Sequence, residues 1–433
     1  MRDLGRSNDP RVQAQLDRLA GLSLPQGRFG LETMRALLER LGDPHERLPP
    51  VLHVAGTNGK GSTCAFLRAM LEAQGYRVHA TISPHLVRYN ERIRLAGRLV
   101  EDEPLAELLT QVLDAAEGLN PSFFEVTIAA AFLAFSRTPA DVCVVEVGLG
   151  GRLDATNVLQ RPAVCGIAAL GLDHERFLLA PEAETPAEPM ARIAFEKAGI
   201  AKPGVPLVTM SYDAAEMASI EAVAARVGAP WLAQDRAWHV LDLVTNFFYD
   251  DDTGLDEGGL HLPFPALAGA HQLANAGLAI AMLRHQRVLP ISREAIANGL
   301  GSAHWPARLQ RIKAETLGTD RTVWLDGGHN PSAGEALAQH FAGQRLHLIT
   351  GMIAGKNPAG FLTPLQPVLQ SITVVPVPHH EWQEPNAFGL QACFAADVPS
   401  ALAELPDDDR PVLIAGSLYL AGEVLRLAGE APD

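Results

Sequence analysis

A glycine-rich loop holds the residues with the clearest chemistry in the chain. It follows an apolar stretch at 51–55 and precedes a helical pattern at 63–73, and it consists of Gly56, Thr57, Asn58, Gly59, Lys60, Gly61 and Ser62. Glycines let successive backbone N–H groups face an anion, a helix N-terminus adds positive potential, and a lysine adds a mobile charge. The loop therefore predicts a phosphate site, with the Ser62 hydroxyl available to phosphate or its magnesium.

The spacing of this loop departs from the common GxxxxGK[ST] pattern. Val54 stands where that pattern has its first glycine, and Gly61 lies between Lys60 and Ser62. A glycine-rich turn without a ligand is the alternative. The strand predicted before the loop and the helix predicted after it favour the phosphate site.

Further polar groups stand at the ends of predicted strands. Glu146 closes one apolar run, and Asp173 and His174 follow the next. A carboxylate and an imidazole at neighbouring strand ends can complete a magnesium shell with phosphate oxygens, water and a hydroxyl such as that of Ser83. A solvated or ion-paired carboxylate is the alternative for Glu146. Because imidazole is not a preferred magnesium ligand, a His174 without metal also stays open.

The elements that must position these groups are predicted from the hydrophobic pattern. Strands are expected at 51–55, 76–82, 141–147, 163–170 and 205–210, and helices at 29–41, 63–73, 125–136, 271–285 and 292–299. Repeated strand, helix, strand units imply a mostly parallel sheet with its ligand site at the carboxyl ends of the strands. Residues 239–265 instead suggest a β-hairpin, and the Pro/Glu/Ala-rich insertion at 180–189 suggests a mobile loop.

A second strand and helix series begins after 301–308, where the helical pattern stops at a proline. Its strands are expected at 322–326, 346–351, 371–377 and 411–416. We therefore predict an α/β protein with three parts: a parallel-sheet domain with a P-loop and an N-terminal helix over 1–300, a linker at 301–308 and a smaller α/β domain over 309–433.

Composition restricts the partners and the compartment. The formal net charge of -15 argues against nonspecific nucleic-acid binding. The four cysteines include no CxxC pair, which is typical of a reducing compartment. The longest apolar run, at 126–135, is too short to span a bilayer. A cytoplasmic monomer that does not insert into membranes is the expectation.

Five blocks, in order along the chain, resemble the Mur-ligase family and within it the folylpolyglutamate synthases. They are HVAGTNGKGS at 53–62, SPHLVRYNER at 83–92, EVGLGGRLDATN at 146–157, EKAGI at 196–200 and DGGHNP at 326–331. The resemblance implies the Mur-ligase fold and an ATP- and magnesium-dependent amide ligase. Its expected small-molecule substrates are ATP, L-glutamate, and either dihydropteroate or the glutamate tail of a reduced folate.

The resemblance also implies roles for residues that spacing leaves open. Ser83, Glu146 and His174 correspond to magnesium ligands. Lys197 corresponds to a catalytic lysine that family members commonly carry as a carbamate, an anion that helps to position magnesium. The alternative for Lys197, on a predicted helix, is a solvated surface lysine paired with a carboxylate.

Nucleotide contacts are implied for Asn275 in HQLANA, for Arg308 and for Asp326, and a catalytic role is implied for His329. Where the family usually has Pro-Gly-Arg this chain has Ala307 before Arg308, which narrows the backbone conformations available. A simple helix cap is the alternative for the strand-end group that contains His329.

Two segments match positions at which bifunctional family members bind a pterin-containing substrate. Their residues are Ser122, Phe123, Phe124, Glu125, Leu153, Asp154 and Ala155. For the two phenylalanines, packing in a helix core is the alternative.

The implied chemistry forms an amide from a carboxylate, which needs a better leaving group than oxide. ATP phosphorylates the acceptor carboxylate, and the amino group of L-glutamate attacks the acyl phosphate, while Lys60 stabilises the phosphoryl charge. Two rivals remain. One is a Mur-type ligase of peptidoglycan or cyanophycin, and the other is a P-loop NTPase switch, in which a second domain bearing DGGHNP has no evident role.

Overall fold

A computed structural model describes residues 5–22, 30–255, 258–389 and 391–432. The chain divides into two compact units. The first comprises Met1–Pro84, Tyr89–Ala266 and Gln272–His304, and the second comprises His85–Arg88, Leu267–His271 and Trp305–Asp433. Two short segments of the predicted 1–300 domain thus belong to the second unit. The predicted division into 1–300, a linker at 301–308 and 309–433 stays a prediction.

The first unit is built on a mostly parallel sheet. Its strands are β1 (Val51–Ala55), β2 (Val78–Thr81), β3 (Ile93–Leu95), β4 (Arg98–Leu99), β5 (Val142–Glu146), β6 (Val164–Ile167), β7 (Leu207–Thr209) and β8 (Trp231–Ala233). Their order is β4-β3-β2-β5-β1-β6-β7-β8. The neighbours along the part β2-β5-β1-β6-β7-β8 of this order pair in parallel. The pairs β2–β3 and β3–β4 are antiparallel. The carboxyl ends of β2, β5, β1 and β6 therefore share one edge.

Helices cover this sheet because its central strands are apolar on both sides. Every residue of β1 and β5 is buried. The helices are α1 (Pro10–Ala20), α2 (Glu32–Arg40), α3 (Lys60–Ala73), α4 (Asp102–Ala115), α5 (Phe123–Arg137), α6 (Glu175–Leu178), α7 (Pro189–Ala198), α8 (Ala214–Val227), α9 (His271–His285) and α10 (Arg293–Ser302). The predicted helix at 29–41 is found as α2, and its first residue lies outside the described residues.

The predicted hairpin at 239–265 is a three-stranded antiparallel sheet. Its strands are β9 (Trp238–Asp242), β10 (Phe247–Asp251) and β11 (Leu260–Leu262), in the order β11-β10-β9. Buried Trp238, Phe247 and Tyr249 anchor it. Residues 256 and 257 of the predicted stretch lie outside the described residues.

The second unit has its own sheet and core. Its strands are β12 (Gln310–Ile312), β13 (Val323–Leu325), β14 (Leu346–Thr350), β15 (Leu369–Val374), β16 (Ala392–Phe394) and β17 (Val412–Ala415), and its helices are α11 (Pro331–His340), α12 (Pro358–Leu365), α13 (Val398–Ala403) and α14 (Leu418–Ala428). The order is β12-β13-β17-β14-β15-β16, and only β12 is antiparallel to its neighbour. The α/β class predicted for both parts is confirmed. No helix in the described ranges is both long and apolar enough to cross a membrane.

Candidate active site

The glycine-rich loop joins β1 to α3 in a conformation that depends on glycine. Gly59, directly before α3, has a φ of 80°, and a Cβ atom there would lie 2.2 Å from Oδ1 of Asn275. Asn275 is buried on α9, and its Nδ2 donates to Oε1 of Gln272 at 3.0 Å. The first N–H groups of α3 have no partner within the helix. The loop therefore presents backbone donors beside Asn275, as an anion site requires.

Two predicted ATP contacts, Thr57 and Asn58, use their backbone to anchor this loop. Their N–H groups donate to the carbonyl oxygen of Ala169 at 2.8 Å and 3.1 Å. The Thr57 hydroxyl donates to the carbonyl oxygen of Gly171 at 2.9 Å. The segment after β6 thus fixes the first half of the loop, which leaves the start of α3 as the part free to meet phosphate.

Lys60 and Ser62 supply side-chain polar groups at the start of α3. The Lys60 amine folds over the loop and donates to the carbonyl oxygens of Gly56 at 3.1 Å and Thr57 at 3.4 Å. Ser62 is only 1% exposed, and its buried hydroxyl forms no hydrogen bond with any described residue. A buried hydroxyl without a partner costs free energy unless a ligand satisfies it. This hydroxyl is therefore suited to a phosphate oxygen or to a metal that phosphate carries.

The predicted metal ligands Ser83 and Glu146 are in contact at the ends of β2 and β5. The N–H of Ser83 donates to Oε2 of Glu146 at 3.3 Å. Glu146 is buried and lies opposite Val54 in the β1–β5 register, so its carboxylate shares the sheet edge of the phosphate loop. His174 follows β6 at the same edge, and its Nε2 lies 3.8 Å from Oδ2 of Asp173.

The donor set suits a metal that arrives with phosphate. Within the described ranges, no three His, Cys, Asp or Glu side chains form a group that could hold a metal on their own. Magnesium usually takes one or two carboxylates and completes its octahedral shell with water and substrate phosphates. Glu146 and the unpartnered hydroxyl of Ser62 fit this arrangement.

Lys197 lies near the end of α7, and its side chain is buried against the phosphate loop. It is only 3% exposed, and its Nζ donates to the carbonyl oxygen of Gly56 at 2.9 Å. Burial, and next the positive charge of Lys60, lower the pKa of Lys197 to about 7. The residue is thus a partly neutral amine beside the loop, unlike the solvated surface lysine that was the alternative.

In the second unit, the side chain of Asp326 holds the backbone around the end of β13 in place by hydrogen bonds. Its carboxylate is buried and accepts from the N–H groups of Leu309 at 2.9 Å and Gly328 at 2.7 Å. The ring Nδ1 of His329 pairs with the carbonyl oxygen of Gly327 at 3.0 Å. The two predicted site residues therefore lie in one turn.

Arg308 lies in a strained stretch of the same unit. Ala307 has a φ of 55° and Leu309 a φ of 45°, both in the left-handed region. Alanine pays roughly 1 kcal/mol or more in that region. The departure from Pro-Gly-Arg therefore leaves Ala307 in a conformation that glycine would adopt without this cost.

Four of the predicted pterin contacts lie at the start of α5. Ser122 and Glu125 form a reciprocal cap, since the Ser122 Oγ accepts from the Glu125 N–H at 3.3 Å and the Glu125 carboxylate accepts from the Ser122 N–H at 2.7 Å. Phe123 and Phe124 are half-buried. A Cβ on Gly148 would lie 2.3 Å from Cζ of Phe124, so this ring packs directly on the loop after β5.

The other three predicted pterin contacts, Leu153, Asp154 and Ala155, lie in a loop whose fold is held by the carboxylate of Asp154. Its carboxylate accepts from the N–H of Leu149 at 2.8 Å, and from the N–H and hydroxyl of Thr156 at 3.0 Å and 2.6 Å. Burial raises the pKa of Asp154 above its ordinary value. Leu153 is half-buried and Ala155 is buried. Phe124 packs on Gly148, and the next residue, Leu149, donates its N–H to Asp154, so this loop links the two predicted segments.

Sequence reasoning gave no role to Arg152 and Glu182, although both belong to the surroundings of Lys197. The N–H of Arg152 donates to the carbonyl oxygen of Glu196 at 2.7 Å, and the Arg152 guanidinium pairs with the carboxylate of Glu182. One signal was available: Arg192 and Glu196 stand four apart on the helix of Lys197, the spacing of an ion pair. Nothing in the sequence linked the distant Glu182 to that pair.

Curated proteins, of which two are described, are similar to this chain over most of its length, although no protein-family model matches it. The folylpolyglutamate synthase of Lacticaseibacillus casei is 33% identical over 413 residues, which cover 90% of this chain and 92% of that protein. A probable bifunctional folylpolyglutamate synthase/dihydropteroate synthase of Halobacterium salinarum is 34% identical over 91% of this chain and 49% of that protein. The chain spans about half the length of this longer relative.

Solved structures share the fold. FolC of E. coli, in complex with DHPP and ADP, matches with a TM-score of 0.84 and 29% identity over 96% of this chain and 97% of that chain. A bifunctional folylpolyglutamate synthase/dihydrofolate synthase with Mn, AMPPNP and L-glutamate bound matches with a TM-score of 0.82 and 30% identity over 98% and 99%.

The similarity covers at least nine tenths of the chain and therefore extends across both units. It confirms the predicted Mur-ligase-like fold and sets aside the rival readings as a peptidoglycan or cyanophycin ligase and as an NTPase switch. Identity of 33% over nine tenths of the chain, with a shared fold, is far more than one common motif would give. The chain belongs to the folylpolyglutamate synthase and dihydrofolate synthase family of ATP-dependent ligases.

Proposed function

We propose that this protein joins L-glutamate to dihydropteroate and to the glutamate tail of reduced folates, through an acyl phosphate made with ATP. The observation that carries the proposal is the phosphate loop, where the Lys60 amine and the unpartnered Ser62 hydroxyl share a sheet edge with Glu146. Solved relatives with ADP, or with AMPPNP and L-glutamate, support the same substrates.

Two bond exchanges make up the reaction. A carboxylate oxygen of the acceptor attacks the γ-phosphorus of ATP, and ADP leaves. The glutamate nitrogen then attacks the acyl carbon, the C–O bond to phosphate breaks, and the nitrogen loses a proton. Lys60 and the N–H groups at the start of α3 stabilise the phosphoryl charge in both steps.

Magnesium is the metal that this proposal assigns to the site. Ser62, Ser83, Glu146 and His174 would hold it together with nucleotide oxygens. When bound, it would neutralise charge on the transferring phosphate. Manganese in a solved relative supports a divalent cation, and the oxygen-rich donors favour magnesium.

Lys197 is proposed to carry a carbamate. Its nitrogen adds to the carbon of CO₂, an N–C bond forms and a proton leaves, which requires the neutral amine. The lowered pKa of about 7 makes that form available near neutral pH. The resulting anion would add negative charge beside the phosphate loop, where a metal must be positioned.

The remaining predicted roles belong to the same proposal. Asn275, Arg308 and Asp326 contribute to ATP binding, and His329 to catalysis. The pterin-containing acceptor is assigned to the surface formed by the start of α5 and the loop around Asp154, which touch through the ring of Phe124.

The test is a parallel assay of the purified protein with ATP, magnesium and L-glutamate, which measures ADP release and the glutamylated product. We expect both dihydropteroate and tetrahydrofolate to be ligated, with little ADP formed without an acceptor. Ligation of tetrahydrofolate alone would remove the dihydrofolate synthase half. Ligation of neither, with activity on a UDP-muramoyl acceptor, would overturn the folate assignment.

A further inference from the structure

Four side chains of alternating charge, Arg152, Glu182, Arg192 and Glu196, form an ion-pair ring beside α7. Nη2 of Arg152 lies 2.6 Å from Glu182 and 3.0 Å from Glu196. Nη2 of Arg192 lies 3.2 Å and 3.1 Å from the same two carboxylates. Each cation thus contacts both anions, and the four formal charges cancel. The side chains are 6% to 24% exposed, so solvent screens the pairs only in part.

The ring joins three segments that are far apart in sequence. Arg152 comes from the loop after β5, Glu182 from the insertion at 180–189, and Arg192 and Glu196 from α7. Glu182 therefore anchors an insertion that the sequence suggested was mobile. The hydroxyl of Thr185 donates to the Glu182 carbonyl oxygen at 2.6 Å, which folds the insertion back at this point.

The ring lies directly beside Lys197. A Cβ on Gly151 would lie 2.9 Å from the Lys197 carbonyl oxygen, so the loop before Arg152 packs on the Lys197 backbone without room for a side chain. The Lys197 amine then reaches the Gly56 carbonyl oxygen at 2.9 Å. A shift of α7 against this loop would therefore move the amine away from the phosphate loop.

We propose that Glu182 is a positioning residue, which closes the ring and so holds the amine of Lys197 at the phosphate loop. This inference rests on the role proposed for Lys197. Without the Glu182 carboxylate, two guanidinium groups share Glu196 alone, and one positive charge in a partly buried site loses its counter-ion. Removing one member of an ion pair that water reaches only in part leaves a poorly solvated charge, which is unfavourable. The arginines must separate, and they carry α7 and the loop apart.

The test compares Glu182→Gln with the matched control Glu184→Gln. Glu184 lies in the same insertion, is exposed and forms no ion pair with any described residue. Each protein is labelled with acetic anhydride in CO₂-free buffer at several pH values, and the rate at Lys197 is read by peptide mass spectrometry. In Glu182→Gln we expect a faster limiting rate at alkaline pH, where the amine is neutral, and an apparent pKa of Lys197 above about 7, because water and reagent reach the amine. Ligation should fall about 10-fold.

A second variant separates position from charge. Glu182→Asp keeps the negative charge but withdraws the carboxylate by one methylene. We expect a labelling rate between those of the wild type and Glu182→Gln. This variant also tests the inference if Glu182→Gln does not fold. Wild-type labelling of Lys197 in both Glu182 variants would overturn the inference, as would an equal change in Glu184→Gln. Labelling of Lys197 does not depend on turnover. If the wild-type protein ligated no folate, the proposed function would fail, but the labelling rates would still test the role of Glu182.

Discussion

Replacing Lys60 with alanine should reduce ATP-dependent ligation roughly a thousandfold, because we propose that this amine supplies positive charge where phosphoryl charge develops. Within the described residues its hydrogen bonds go only to loop carbonyls, and Lys60 is not among the buried residues of the core. We therefore expect the free energy of unfolding to change by no more than about 0.5 kcal/mol. Steady-state ADP release and urea unfolding measure the two effects.

The matched control for this variant is Lys313→Ala. Lys313 is exposed and follows β12 in the sheet of the second unit, so activity should stay within twofold, roughly the scatter of a neutral surface change. A folded Lys60→Ala protein with near-normal ligation would show that the loop does not bind the transferring phosphate.

Replacing Lys197 with alanine should lower ligation by about 100-fold, because it removes the proposed carbamate from the phosphate loop. Millimolar formate or acetate should restore part of the activity, since a small carboxylate can enter the space left by the side chain and replace the lost anion. The measurement is kcat with increasing carboxylate. The same carboxylates should not stimulate Lys60→Ala, which lacks a cation.

The pH dependence of the wild-type protein follows from the same lysine. Its folded-state pKa of about 7 means that the amine is mostly neutral above pH 7 and mostly protonated below it. After removal of CO₂, the rate at which bicarbonate restores activity should therefore fall about 10-fold per pH unit well below pH 7. A Lys197→Ala protein with full activity, or wild-type activity independent of CO₂, would contradict the carbamate.

Much of the fold is readable from the sequence because buried parallel strands are continuous apolar runs. The run at 141–147 is found as Val142–Glu146, and the run at 346–351 as Leu346–Thr350. Helix α3 begins three residues before the predicted start at 63, because the glycine-rich loop continues directly into its first turn. A glycine such as Gly61 is unfavourable for a helix by propensity alone.

The surroundings of Lys197 could not be predicted in the same way. Its helix has a pattern that suits a solvated lysine, and its burial arises from packing against a loop more than forty residues earlier in the chain. Glu182 stands among Pro, Glu and Ala residues that are typical of an unanchored loop. Only the fold brings it to Arg152 and Arg192. The second unit likewise includes 85–88, a segment too short to be noticed in sequence.

The most direct test of the central claim, ligation through an acyl phosphate, follows oxygen from the acceptor. Dihydropteroate carrying ¹⁸O in both carboxylate oxygens is incubated with the protein, ATP, magnesium and L-glutamate, and the inorganic phosphate is analysed by mass spectrometry. We predict one ¹⁸O atom in each phosphate released and the other in the new amide carbonyl, because the acyl C–O bond breaks when the amine attacks. Phosphate without ¹⁸O, formed while ATP is consumed, would mean that water takes the phosphoryl group, and it would contradict the account.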